Sequence, residues 1–394
     1  MKVCISGAGV AGPTLAYWLL RAGHEPTLIE EAPQFRTGGY VIDFWGVGYD
    51  VAERMGLRQT INERGYRVDE VRALNCEGRK VSGFSAEIFR RLTNDRYISI
   101  ARGTLAETIY ETVEGKAETL FGQTIRSVED KGDEVTVNLS GGASRNFDLL
   151  VGADGLHSNV RHLVWPDRKN AERHLGIYVA AFDVSGYPHR DEDIYMMRTA
   201  PGRTLARFTE RNDRTLFLLI FTADKLGGPE PRSQGEVKAA LRSVFDGLGW
   251  ETDEVLSEMN NVDEVYFDRV SQIEIPEWSK GRTVLVGDAA ACASLLAGEG
   301  TGLAMTESYI LAGELQRHRG NVPAALVEYE AKLRPFLTAK QKSARGFTSF
   351  FVPSSPFSLW LRNMGMRMAN IPGLAGPLLG GSARDDFDLP DYKY

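Results

Sequence analysis

Cysteine is scarce in this 394-residue chain. The three cysteines, Cys4, Cys76 and Cys292, are odd in number, far apart and in no CxxC pair, which argues against a disulfide framework or a zinc site. A reducing, cytoplasmic setting is the natural expectation. No segment reaches the run of about 18 apolar residues that a membrane-spanning helix needs. The first residues lack the basic stretch and cleavage site of a secretory signal; Val3–Ser6 is long enough only for a strand. Positive charge is not in excess either: 46 Lys and Arg against 53 Asp and Glu give a net −7, so the basic footprint of a nucleic-acid binder is missing. None of the six histidines sits in a recognisable catalytic motif.

Glycine, by contrast, is placed with purpose. The apolar stretch Val3–Ser6 runs into Gly7-Ala8-Gly9-Val10-Ala11-Gly12, which has GxGxxG spacing. Pro13 suits a first helical turn, Leu15, Trp18 and Leu19 repeat at helical spacing, and Gly23 suits a C-cap. A second strand, residues 26–29, ends on Glu30. Strand, glycine turn, helix, strand and terminal acid within about thirty residues form the dinucleotide fingerprint, with Glu30 set to bind a ribose. The motif without that setting is a common β-α-β turn. Gly38-Gly39 then breaks the Rossmann rhythm, as either a tight loop or a mobile backbone beside a cofactor ring.

Further along, residues 68–99 read as hairpins with turns at Cys76-Glu77-Gly78 and Asn94-Asp95. Ile98–Leu105 reads as a strand entering a helix, with Arg102 at the junction. Leu149–Ala153 is a buried strand ending in Asp154-Gly155, followed by Ser158 and Arg161; Arg161 can pair with Asp154 or serve a cofactor. Runs at 176–185, 193–199, 203–210 and 214–222 predict an antiparallel sheet. Helices follow within 233–259, then a strand in 265–275. Lys280–Ala304 organises the rest. A short strand at 283–286 ends at Gly287-Asp288, where Asp288 can accept hydrogen bonds from ribityl or sugar hydroxyls. Small residues follow, and Gly298-Glu299-Gly300 opens a helix whose free N–H groups favour negative charge. Helices are expected at 301–316 and 322–344. The aromatic and Met-rich end is a packed helix, a lid, or a membrane or dimer contact.

Three motifs in this order, GAGVAG, GADGLHSNVR and VGDAAACASLLAGEG, resemble the group A FAD-dependent monooxygenases, the aromatic hydroxylases with the para-hydroxybenzoate hydroxylase fold. GVAGPTLAYWL (9–19), GWET (249–252), YILAGEL (309–315) and LPDY (389–392) are similar to the tetracycline-inactivating branch. The resemblance implies an α/β fold. A Rossmann-like FAD-binding domain (1–174 and 265–345) would interleave with an antiparallel-sheet substrate domain (175–264), with a helical segment at 346–394. It implies FAD, NADPH or NADH, and O₂ acting through a C4a-hydroperoxide to hydroxylate an aromatic or polyketide-like small molecule. Monomer and homodimer remain open. By this resemblance Gly7, Gly9, Ala11 and Gly12 hold the pyrophosphate, Glu30 the ribose, and Arg102 the pyrophosphate or ribityl chain. Asp154 and Gly155 serve FAD and NAD(P)H, and Asp288 the ribityl. Gly38, Gly39, Gly298, Gly300, Thr301 and Gly302 lie by the isoalloxazine. The chain departs from the family's GDAAHxxxPxxGxGxN pattern at Ala291, Leu295, Glu299 and Gly302. Losing the proline loosens the loop beside the flavin, which leaves open an uncoupled oxidase, a reductase or a non-catalytic flavin- or ligand-binding protein. The Trp-x-Trp-x-Ile-Pro signature of flavin halogenases is absent.

Overall fold

The computed structural model describes residues 1–35, 40–168, 171–371, 374 and 385–394. A six-stranded sheet forms the nucleotide half. Its order is Ser279–Lys280, Thr283–Leu285, Leu149–Gly152, Lys2–Ser6, Glu25–Glu30 and Glu118–Phe121. All neighbours run parallel except the first pair. Val3, Cys4 and Ile5 are fully buried, and their core takes in Leu15 and Leu19 of the following helix together with Val135, Val137 and Phe147 of a separate three-stranded antiparallel sheet. The helix after it begins inside the glycine motif, at Ala11, and ends at Arg21.

A seven-stranded sheet forms the other half, in the order Tyr266–Ile273, Glu172–Ser185, Arg214–Thr222, Arg203–Thr209, Ile194–Ala200, Glu70–Leu74 and Lys80–Ser85. Four of these strands match the expected extended runs. The sheet also takes in strands from both sides of 175–264, and Ile194–Ala200 pairs parallel with Glu70–Leu74. The expected second hairpin in 68–99 does not form. Helix Glu87–Leu92 intervenes, and Asn94 and Asp95, at φ 53° and 60°, make its exit. Phe89 on that helix stacks on Tyr97 and meets Phe84 edge-on, contacts a hairpin strand would not supply.

One face of this sheet packs on helices Gln234–Phe245 and Thr252–Glu258. The GWET stretch locks that layer: Trp250 N–H donates to the Cys76 carbonyl (2.6 Å), and its ring lies 5.6 Å from the Arg207 guanidinium. The opposite face meets the glycine-rich half. There Ile177, Val179, Ile220 and Val270 pack with Leu295 and Leu296.

Two long helices close the nucleotide half, Gly300–Arg317 and Val322–Phe351, and Pro356–Met368 follows. The last is capped by Ser355 and docks on the edge strand Lys80–Ser85, where Arg367 donates to the Val81 carbonyl (2.6 Å). Its inner face is thus a packed helix; Phe357, Trp360 and Leu361 remain exposed on its outer side. Residues 385–394 return across the nucleotide half. Among the described residues no helix is long and apolar enough to cross a membrane.

Candidate functional site

Three loops leave the C-terminal ends of adjacent parallel strands and converge: the glycine loop after Ser6, the Asp154 loop after Gly152, and the Asp288 loop after Leu285. Ligands of open α/β sheets bind at such strand ends. In the first loop the glycines have separate tasks. Gly7 has φ +105°, and a β-carbon there would press on the Ala153 carbonyl oxygen. One at Gly12 would overlap the Gly7 carbonyl oxygen. Gly9 is different, because a β-carbon there would meet no protein atom within 4 Å. Gly7 and Gly12 therefore serve the fold, whereas Gly9 leaves open ground above the loop. Ala11 lies against Gly287, whose own β-carbon would come 3.6 Å from that of Ala11. Glu30 faces the same loop and accepts from the N–H groups of Ala8 (2.8 Å) and Ala32 (2.9 Å).

Asp154 is held by the Ser158 hydroxyl and the Val160 N–H (3.0 Å), with Ser6 Oγ at 3.4 Å. Burial raises its pKa, and these donors oppose the rise. Gly155 follows with open space around it. Arg161 is almost fully buried, yet its guanidinium donates to the carbonyls of Ala289 (3.0 Å) and Leu156 (2.6 Å) rather than to Asp154. It ties the second loop to the third. His157 reaches across to strand Tyr266–Ile273 rather than bonding locally: its Nε2 lies 3.0 Å from Asp268, which raises its pKa.

In the third loop Gly287 adopts φ 66°, ψ −141°, a conformation that essentially only glycine holds. Asp288 follows, and its Oδ1 lies 3.6 Å from where a β-carbon of Gly300 would be. Gly298 (φ +71°) faces the Trp45 ring, and Gly300, Thr301 and Gly302 form the first turn of the long helix. Glu299 gives that helix no side-chain cap, so its first N–H groups are not taken up by a capping side chain. Helix Gly46–Arg54 crosses here, and it is Gly48 that needs to be glycine: a β-carbon on Gly48 would overlap Gly302, whereas one on Gly302 would meet Gly48 and Trp45 at ordinary contact distance. Leu295, in the proline position, anchors its loop on the seven-stranded sheet.

Arg102 stands exposed at the junction of Tyr97–Ala101 and Arg102–Tyr110, and its N–H donates to the Tyr40 carbonyl (3.0 Å). Tyr40 looks onto Arg102, Asp288, Cys292 and Asp268, and burial pushes its hydroxyl up to about 12. Gly38 and Gly39 lie outside the described residues.

The structure adds residues that the sequence reading did not single out. Glu307 is buried and accepts from the Gly287 N–H (2.7 Å) and the Tyr329 hydroxyl (3.3 Å); burial pushes its pKa up to about 8. It lies in the helix between Thr306 and Ser308, so no break in an apolar run marks it in the sequence. Asp385 accepts from the Val47 N–H (2.7 Å) and pairs with Lys340, which also pairs with Glu299 (3.0 Å). Asp43, alone among apolar neighbours in VIDFW, lines a small cavity with Trp45, Gly48, Gly298, Glu299, Gly302 and Asp385. Among the described residues no group of His, Cys, Asp and Glu could hold a metal ion.

The features fit an FAD. Gly9 leaves room for a pyrophosphate, Glu30 stands beside the same loop, and Asp288 lies against the uncapped helix start.

The chain is similar to known flavoproteins along almost its whole length. The FAD binding domain family matches residues 1–343. A flavin-dependent monooxygenase of Legionella longbeachae is 34% identical over 87% of this chain and 87% of its own length. FAD-dependent monooxygenase asL4 of Sarocladium schorii is 30% identical over 100% of this chain and 98% of its own. The crystal structure of tetracycline destructase Tet(55) superposes with a TM-score of 0.85 at 29% identity, covering 99% of this chain and 98% of that one.

Proposed function

The chain belongs to the FAD-binding family of flavin-dependent monooxygenases, and from that premise we propose that it uses NADPH or NADH and O₂ to hydroxylate an electron-rich aromatic or polyketide-like small molecule. The observation that carries this reading is an apolar junction. The uncapped start of Gly300–Arg317 and the apolar face of the seven-stranded sheet meet through Leu295 and Leu296, so a flavin held at that helix start would adjoin the sheet face offered to a substrate. When bound, FAD supplies the hydride acceptance and oxygen activation.

The chain supplies position, charge and dryness. The glycine loop and Glu30 hold the nucleotide end. Asp288 orients the ribityl chain through its hydroxyls. The first turn at Gly300–Gly302 would present its N–H groups and the positive helix end to the ring, an arrangement that favours negative charge there. Ile177, Val179, Ile220, Val270, Leu295 and Leu296 exclude water from the meeting point. Leu295 anchors its loop by side-chain packing where the family pattern uses a proline ring. That favours coupled hydroxylation over the uncoupled alternative.

The test uses purified yellow protein with NADPH and then NADH. Nicotinamide oxidation and O₂ consumption are followed with and without a panel of phenols and polyketides, tetracycline included. The expected result is ligand-stimulated oxidation and a product heavier by one oxygen atom. Flavin that neither nicotinamide reduces, or oxidation that yields only peroxide with every ligand, would overturn the reading.

A further inference from the structure

Asp43 is the middle residue of strand Val41–Trp45. Its Oδ1 accepts from Ser99 Oγ (2.6 Å), the Tyr97 hydroxyl (2.7 Å) and the Tyr195 hydroxyl (3.5 Å). Among the described residues no donor reaches Oδ2. One oxygen is saturated and the other is left over, in a residue that lines the cavity beside Gly298, Glu299 and Gly302.

Tyr195 arrives from the opposite side. Alternation along Ile194–Ala200 puts Tyr195 on the same face as Thr199. Thr199 pairs with Thr204, Thr204 with Ile220, and Ile220 with Val179. That is the face on which Leu295 and Leu296 pack. The Asp43 carboxylate therefore stands where the cofactor loop and the sheet face come together. Its charged surroundings are Glu299 and Asp385 on the same cavity, both paired with Lys340. Burial holds the Tyr97 and Tyr195 hydroxyls well above their usual range, so both remain neutral donors. Burial raises the Asp43 carboxyl as well, and its three hydroxyl partners pull it back.

We propose that Asp43 is the acid–base residue of this site, and that it selects substrates carrying an ionisable phenolic or enolic hydroxyl. The proposal rests on the monooxygenase reading and deepens it. In the step, the substrate O–H bond breaks and its electron pair stays on the substrate oxygen. The proton forms a new O–H bond on Asp43 Oδ2, and nothing is oxidised or reduced. The charge left on the substrate spreads into its ring and enriches the carbon that receives oxygen. Tyr97, Ser99 and Tyr195 are positioning residues that fix Oδ1 and so leave Oδ2 for the substrate.

The experiment titrates the holoprotein with 4-nitrophenol and ring-fluorinated nitrophenols, and reads phenolate absorption as a difference spectrum against pH. Wild-type protein is expected to show bound phenolate at pH values below those that ionise the free probe. Asp43→Asn, with its FAD content verified, is expected to cut the ionised fraction about tenfold, the equivalent of one pKa unit. Tyr97→Phe removes a donor to the carboxylate and makes Asp43 a stronger base. It should raise the ionised fraction, whereas a merely structural defect would move both variants the same way. Equal ionisation in wild type and Asp43→Asn, a loss of phenolate in both variants, or no probe bound at all overturns the proposal. Failure of the monooxygenase reading shows separately, as flavin that NADPH and NADH leave oxidised.

Discussion

The ring of Tyr392 fills the space that a β-carbon on Gly313 would need. Gly313 lies inside a continuous helix, Gly300–Arg317, where glycine costs about 1 kcal/mol relative to alanine. It is there to admit the tail. The Tyr392 hydroxyl donates to buried Glu314, Arg54 donates to the Pro390 carbonyl (2.6 Å), and Tyr394 lies 4.8 Å from Trp18, ring to ring. Two sequence features far apart in the chain, YILAGEL and LPDY, are thus halves of one contact. Gly313→Ala should destabilise the protein by about 1–3 kcal/mol through overlap with the ring, despite the better helix former. In a Tyr392→Ala background the same change should stabilise it by up to about 1 kcal/mol. Denaturant melts of the four proteins in the cycle test this; a Gly313→Ala effect of the same sign in both backgrounds would contradict the contact.

The glycine loop predicts a separation between folding and cofactor binding. Gly9→Ala meets no protein atom, so the apoprotein should keep its stability within about 0.5 kcal/mol. Its new methyl group stands where the pyrophosphate approaches, and FAD should bind at least about tenfold more weakly, about 1.4 kcal/mol. Gly12→Ala should instead lower apoprotein stability by about 1–3 kcal/mol, because the Gly7 carbonyl is in the way. Urea melts of the apoproteins and fluorescence titration with FAD separate the two. Unchanged FAD affinity in Gly9→Ala would remove the pyrophosphate assignment.

Much of the site was legible because it is local. Gly7–Glu30 places strand, turn, helix and acid in consecutive residues, and Asp154 and Asp288 both end apolar strands. Such patterns survive in sequence because hydrogen bonding and burial act over a few neighbouring residues. What stayed hidden depends on contacts across long separations. Asp43 meets Tyr195 over 152 residues, and Asp385 meets Val47 over 338. A polar residue amid apolar neighbours marks such a meeting without naming the partner. The sheet boundary was hidden for a related reason. Strand Glu70–Leu74 reads as a hairpin arm, and only its pairing with Ile194–Ala200 places it in the seven-stranded sheet.

Asp385 predicts that the tail contributes to the flavin half-site. Its carboxylate accepts from the Val47 N–H at the start of Gly46–Arg54 and pairs with Lys340, which reaches Glu299 beside the helix start. Asp385→Asn can keep the first bond but weakens the second. Lys340 then has one carboxylate instead of two, and the local charge becomes one unit less negative. The midpoint potential of bound flavin should shift upward, because a negative neighbour opposes reduction. Asp385→Ala loses both interactions and should also cost about 1–3 kcal/mol of stability. Spectroelectrochemical titration is the check, and a potential unmoved in both variants would detach the tail from the site.

Glu307 predicts an unusual pH dependence. Its folded pKa of about 8 lies above the ordinary value near 4.5, and burial is the principal cause. A raised folded pKa means the contribution to stability is fully present below the ordinary value. It declines as pH climbs through the folded pKa, because the unfolded chain releases the proton earlier. Glu307→Gln carries no titrating group, and its amide oxygen can still accept from the Gly287 N–H. The stability of wild type relative to this variant should therefore fall steadily between about pH 5 and about pH 8 and level off above that. Glu307→Leu leaves the Gly287 N–H without its acceptor and should cost about 1–3 kcal/mol across the whole range. Thermal melts of the apoproteins at about pH 5 and about pH 9 decide the matter. Parallel curves for wild type and Glu307→Gln would mean that the carboxyl does not change its protonation across this range.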